Sequence, residues 1–100
     1  DLDNAMCEAL GSALYGLGSA SMAQRIVAYA TAGNVTLATA ESCTAGLVAD
    51  ALATVPGASA CLLGGIVAYQ ESIKRDRLGV DAEILARCGV VSKEVACEMA

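Results

Sequence analysis

Histidine is missing from this 100-residue sequence, as are phenylalanine and tryptophan, and proline occurs once. Without histidine the chain lacks both the commonest metal ligand and the commonest general base near neutral pH. A nucleophile in it has to be activated by Lys, Asp, Glu or a tyrosinate. Three tyrosines are the only aromatic residues, so the core must be built from Ala, Val, Leu, Ile and Met. Such side chains suit close contact between helix and sheet, but each buries little area.

Basic charge is scarce as well. Six Lys and Arg stand against eleven Asp and Glu, a formal net charge of -5, which argues against a general nucleic-acid binder. The one dense basic group is Lys74, Arg75 and Arg77, which leaves local anion binding open. No apolar run has the length of a membrane span. The opening DLDNAM is acidic and lacks the basic start of a signal peptide. A soluble cytoplasmic protein without a membrane partner is the expectation. The five cysteines are odd in number and scattered, unlike a disulfide framework or a zinc site. Cys7, Cys61, Cys88 and Cys97 are expected to fill core space as small hydrophobes. Neither a metal nor a cofactor is expected.

What is present is apolar periodicity. Hydrophobic residues make up 56% of the chain, enough to exclude disorder and to support one modest domain. Met6, Leu10 and Leu14 have helical spacing and are followed by the break GLGSAS, so residues 1–20 read as an N-terminal arm or linker. Ser21 is a candidate N-cap for a helix from Met22 to Ala30 that shows Met22, Ile26 and Tyr29 on one face. Gly33 and Asn34 suit its left-handed end. VTLATA, residues 35–40, reads as a strand, and LVADALATV as a helix that Pro56-Gly57 stops. ACLLGGIVAY, residues 60–69, reads as a second strand, where Gly64-Gly65 bends the chain or admits another backbone. QESIKRDRLGV is expected as a short helix or turn, and helices are expected over VDAEILARCG with Asp81 as cap and from Ser92 onward, with Val90-Val91 extended. The alternation of helix and strand gives the α/β class. Two strands make a poor sheet alone, so residues 21–100 are expected to be the N-terminal portion of a larger α/β domain lacking its C-terminal part.

The chemistry concentrates in the two segments that follow the strands. TAESCTAG, residues 39–46, sets Ser42 beside Cys43 at a strand-to-helix junction. Lys74 follows the second strand as Ser42 follows the first, and adjacent parallel strands would bring both to one sheet edge. A desolvated lysine there can accept a serine proton, and Tyr69 could relay it. The free amides at the start of the next helix could stabilise an oxyanion or bind phosphate. Thr44 could bond a ligand, Gly46 permits close approach, and Glu41 could instead hold the loop together. The plainer readings stand beside these. Ser42 or Thr44 would be a helix N-cap, Lys74, Arg75 and Arg77 a solvated face, and Tyr69 and Cys43 ordinary packing. The thiol of Cys43 competes with Ser42 as nucleophile.

Three motifs in order, LATAESCTAG, GGIVAYQESIKRDRLGV and GVVSKEVACEMA, resemble the C-terminal domain of the CinA family, the competence/damage-inducible proteins. The second has the spacing G-x-x-x-Y-x-x-x-x-K-x-x-x-x-G-V and the third GxVSxxVAxxMA. The resemblance implies a three-layer α/β/α fold over residues 21–100 that continues past the last helix into a further glycine-rich motif. It also implies hydrolysis of nicotinamide mononucleotide to nicotinic acid mononucleotide and ammonia. Ser42 then corresponds to the nucleophile, Lys74 to its base and Tyr69 to a supporting residue. Thr44, Ala45 and Gly46 correspond to the substrate loop, with Arg75 or Arg77 as phosphate donors. Ala45 stands where the family usually has glycine. The expected partner is a small nucleotide, with self-association and a fused N-terminal domain both compatible with the sequence. A non-catalytic nucleotide-binding or interaction domain is the alternative.

Overall fold

The computed structural model describes residues 1–100. Helix α1, Leu2–Leu10, is capped by Asp1 and buries none of its residues. A 3-10 turn over Gly11–Ala13 follows. Arg25, further along the chain, contacts two residues of the segment that follows. Its Nη2 donates to the carbonyl of Leu17, and its guanidinium lies 5.9 Å from the centre of the Tyr15 ring.

Helix α2, Met22–Ala32, begins with a capping box between Ser21 and Gln24. Gln24 N–H donates to Ser21 Oγ at 3.2 Å, and Ser21 N–H donates to Gln24 Oε1 at 2.8 Å. The buried face carries Val27 and Ala30, with Ala23 packed beside them. The expected stripe of Met22, Ile26 and Tyr29 stays exposed. Gly33 ends α2 in right-handed geometry, and Asn34 takes the left-handed step at φ 52°.

Strand β1, Leu37–Glu41, runs parallel to β2, Leu62–Val67. Between them lie α3, Leu47–Ala53, and a 3-10 turn over Ala58–Ala60. The register steps from Leu37↔Leu62 to Ala38↔Gly64, leaving Leu63 as the extra residue of a bulge. Both glycines serve this region. Gly64 sits at φ 142°, and any side chain on Gly65 would run into the side chain of Thr39 and come within 3.1 Å of its carbonyl.

Three helices complete the chain. These are α4, Glu71–Leu78, α5, Ala82–Cys88, and α6, Lys93–Met99. Asp81 and Ser92 cap α5 and α6, accepting from Glu83 N–H and Val95 N–H. Val90 and Val91 form a bend rather than extended backbone, because Ser92 turns the chain directly into α6.

Two apolar clusters result. Val27, Ala30, Leu52, Ala58 and Cys61 join α2 and α3. Val80, Leu85 and Val95 join α5 and α6, with Leu78 of α4 against them. The architecture is a mixed α/β domain with a small, open two-stranded sheet flanked by helices. Among the cysteines only Cys61 is buried. Cys7 and Cys88 are half-buried, and Cys43 and Cys97 are exposed, so the expected core role holds for Cys61 and fails for Cys97. No helix is long and apolar enough to cross a membrane.

Candidate functional site

The end of β1 delivers Glu41 into the interior, 5% exposed. The chain then turns through residues 42–46 before α3 begins. Neither Ser42 nor Thr44 caps that helix. Its N-cap is Gly46, at φ 102°, which has no side chain to offer. The Glu41 carboxylate does the capping from below. Oε2 accepts from Thr44 Oγ1 at 2.7 Å and from the amides of Gly46 and Val48 at 3.0 Å. Oε1 accepts from the amide of Ala49 at 2.8 Å. Burial alone pushes this carboxyl upward. The bonds from Thr44, Val48 and Ala49, with a smaller one from Thr39, outweigh it and hold the pKa at about 2.

That arrangement corrects the expectation of free helix-start amides. Those of Gly46, Val48 and Ala49 are already occupied, and the Thr44 hydroxyl donates to Glu41. The amides of Cys43 and Thr44, immediately after Ser42, donate to no group in the chain. Ala45 adopts the left-handed region at φ 50°.

Ser42 is half-buried. Lys74, one turn into α4, is 1% exposed. Its Nζ donates to Ser42 Oγ at 2.6 Å and to the Ala68 carbonyl at 2.6 Å. No carboxylate pairs with it, since the one ion pair of the chain joins Arg75 to Asp76. The plainer reading of a solvated side chain therefore fails for Lys74 and holds for Arg75 and Arg77. Lys74 points inward from α4, while Arg75 and Arg77 remain on its exposed side. Tyr69 is 67% exposed, and its phenol bonds to neither Ser42 nor Lys74.

A cavity of about 260 Å³ opens in front of Ser42. Ser42, Cys43 and Thr44 form one wall, and Val90, Val91 and Ser92 face them from the α5–α6 bend. No Lys or Arg lines it. This facing wall was not anticipated as part of the site. The sequence signal was the GVVSKEVACEMA motif, whose valines show no chemistry by themselves. A larger cavity of about 490 Å³ covers the open sheet face and carries no ionisable side chain. The chain assembles no group of three His, Cys, Asp or Glu that could hold a metal ion. In chemical terms the arrangement brings a hydroxyl against a buried amine, beside an apolar-walled cavity and two unpartnered amides.

The model of the CinA C-terminal domain matches residues 19–100. A CinA-like protein from Chlorobium luteolum is 41% identical over 96 residues, covering 96% of this chain and 22% of the relative. One from Kosmotoga olearia is 44% identical over 93 residues, covering 93% and 23%. Among solved structures, the competence/damage inducible protein CihA from Agrobacterium tumefaciens superposes with a TM-score of 0.76 at 45% identity, covering 78% of this chain and 47% of that one. A CinA superfamily protein from Escherichia coli gives 0.78 at 27% identity, covering 91% and 56%. The chain thus spans less than a quarter of those two relatives and about half of those two solved chains.

Proposed function

Because this chain belongs to the CinA family, corresponding to its C-terminal domain, we propose that it serves a serine amidohydrolase. The reaction is hydrolysis of nicotinamide mononucleotide to nicotinic acid mononucleotide and ammonia. The observation that carries the reading is the 2.6 Å contact between Lys74 Nζ and Ser42 Oγ. It joins two separate post-strand segments in a buried setting.

In the first step the Lys74 amine accepts the Ser42 proton, and Oγ attacks the carboxamide carbon. The Ala68 carbonyl accepts one N–H of the amine and fixes its position. The unpartnered amides of Cys43 and Thr44 are the donors available to the developing oxyanion. The C–N bond then breaks, Lys74 returns its proton to the leaving nitrogen, and ammonia departs. Water, deprotonated by the same amine, attacks the acyl-enzyme and releases the acid and free Ser42. The steps draw on side chains and backbone alone.

Thr44, Ala45 and Gly46 form the substrate loop in this reading. Tyr69, exposed after β2, contacts bound nucleotide rather than relaying a proton. The cavity wall has no cation, so the phosphate calls on a donor from outside it, for which Arg75 and Arg77 are the candidates within this chain. The same reading extends the two strands into a three-layer α/β/α domain beginning at residue 21, with residues 1–20 as its arm. It puts the protein in the cytoplasm, with self-association and an N-terminal fusion compatible with it. A non-catalytic nucleotide-binding domain is the second reading. The left-handed Ala45 favours it, since a methyl group there strains the loop.

Ammonia release from nicotinamide mononucleotide separates these. The wild-type protein is expected to release ammonia, Ser42→Ala to lose at least roughly a thousandfold, and Cys43→Ala to stay within a few-fold. The reverse pattern in the two variants transfers the nucleophile to the thiol. Nucleotide binding without ammonia in the wild type favours the second reading.

A further inference from the structure

We propose that Glu41 is the positioning residue of this site, a buried carboxylate that fixes residues 42–46 in the one shape that presents Ser42 to Lys74. The inference rests on the amidohydrolase reading for its kinetic consequence, but not for its structural one.

Residues 42–46 have little else to hold them. Within that turn the backbone makes two bonds, Ala45 N–H to the Ser42 carbonyl and Leu47 N–H to the Thr44 carbonyl. Ala45 occupies a region that alanine avoids, so local preference works against the observed shape. Glu41 overcomes this from one point. Its backbone is anchored in β1, where its carbonyl accepts from Ala68 N–H at 2.6 Å. Its two oxygens gather four donors from Thr44, Gly46, Val48 and Ala49. Ser42 and Cys43 are the stretch left between the anchored strand and the gathered donors.

Ala68 ties the two halves of the site to the same device. Its amide donates to the Glu41 backbone while its carbonyl accepts from Lys74. Glu41 therefore has bonded links to both the serine turn and the lysine anchor. Glu41 also lines the cavity in front of Ser42, but its side-chain bonds are all internal and an ionised carboxylate only accepts, so its part is to hold the turn and not to donate a proton. Its charge has a further effect. A carboxylate already seated at the start of α3 disfavours a second anion there, and the turn is left to the uncharged amide end of a substrate.

The test compares the wild-type chain with Glu41→Gln, which keeps the shape but turns an N–H₂ group toward at least one N–H donor. Crystal structures of both are the first readout. The wild type is expected to keep Ser42 Oγ bonded to Lys74 Nζ. The variant is expected to separate them beyond about 3.5 Å. The second readout is nicotinamide mononucleotide turnover, normalised to folded fraction by circular dichroism. A displacement of that size should lower kcat by roughly 10- to 100-fold with KM changed less than about threefold. An intact Ser42–Lys74 contact in the variant, or unchanged kcat, overturns the proposal. Should the wild type release no ammonia, the amidohydrolase reading falls and the crystal structures still decide the role of Glu41. Should Glu41→Gln fail to fold, Thr44→Val removes one of the four donors and is read the same way, with a smaller displacement expected and an unmoved Ser42 counting against the proposal.

Discussion

The two segments that follow the strands contribute Ser42 and Lys74 to one contact, and they hold them by different means. The turn after β1 is short, strained at Ala45 and gathered by a single buried carboxylate. The segment after β2 needs no such device. Gln70 stands at the N-cap position of α4 without a side-chain bond, the Lys74 amide bonds back to the Gln70 carbonyl at 3.2 Å, and the helix carries the lysine inward as a regular position. Tyr69, at the start of that segment, is left in solvent. The serine is thus held by an organised irregularity and the lysine by ordinary helical geometry. A perturbation of the first should spread through the turn. One in the second should stay with the side chain that was changed.

The largest effect should come from the helical side. Lys74→Met keeps length and removes the amine. The Ala68 carbonyl loses a partner, but a buried amine without a carboxylate beside it is also removed, and these terms oppose each other. The variant is expected to fold, with Tm within roughly 5 °C of wild type, while turnover of nicotinamide mononucleotide falls by roughly a thousandfold or more. Retained turnover would break the comparison at its centre, because it would make the Ser42–Lys74 contact structural.

The serine side should respond to acid. Glu41 has a folded-state pKa of about 2 against an ordinary 4.5. A depressed carboxyl stabilises the fold fully above its unfolded value, and the contribution disappears as pH falls from about 4.5 towards 2. Urea midpoints of wild type and Glu41→Gln should therefore differ most near pH 6 and converge on the way to pH 2. Parallel curves over that window would mean that the carboxylate is not the acid-sensitive element of this turn.

A third prediction concerns strain. Alanine in the left-handed region costs about 1–2 kcal/mol relative to glycine. Glycine returns about 0.4–1 kcal/mol of that through greater freedom of the unfolded chain. The first term wins, so Ala45→Gly should stabilise the protein by about 0.5–1 kcal/mol in urea titration. A destabilised variant would show that the Ala45 methyl packs usefully, and that Glu41 holds a turn under no strain.

Much of this frame was legible in the sequence because its signals are local. Ser21, Asp81 and Ser92 announce their helices by a chemistry that needs only the next three residues. The two strands and the Gly64-Gly65 irregularity between parallel partners were likewise readable from β-branched runs and glycine. What escaped depends on distant contacts. The buried face of α2 is set by what packs against it, and it carries Val27 and Ala30 rather than Met22, Ile26 and Tyr29. The inward direction of Lys74 was anticipated only as a candidate beside a solvated face. The sequence offers Glu41 as a loop holder but not the consequence, that it takes the amides expected to serve an anion. Nothing in the sequence of Val90 and Val91 marks them as a cavity wall, since their role exists only once α6 lies against the turn.

The smallest effect should come from Tyr69, and it sharpens the contrast most finely. A proton relay requires the phenol within hydrogen-bond reach of the amine or the serine, and it bonds to neither. In the proposed reading its exposed ring contacts bound nucleotide instead. Tyr69→Phe keeps that ring and removes only the hydroxyl, so kcat should change by less than about threefold while any effect appears in KM. Tyr69→Ala should raise KM further with kcat again nearly unchanged. A large kcat loss in Tyr69→Phe would require the segment after β2 to close over the site during turnover. The lysine side would then be the mobile half, and the serine turn gathered by Glu41 the fixed surface against which it closes.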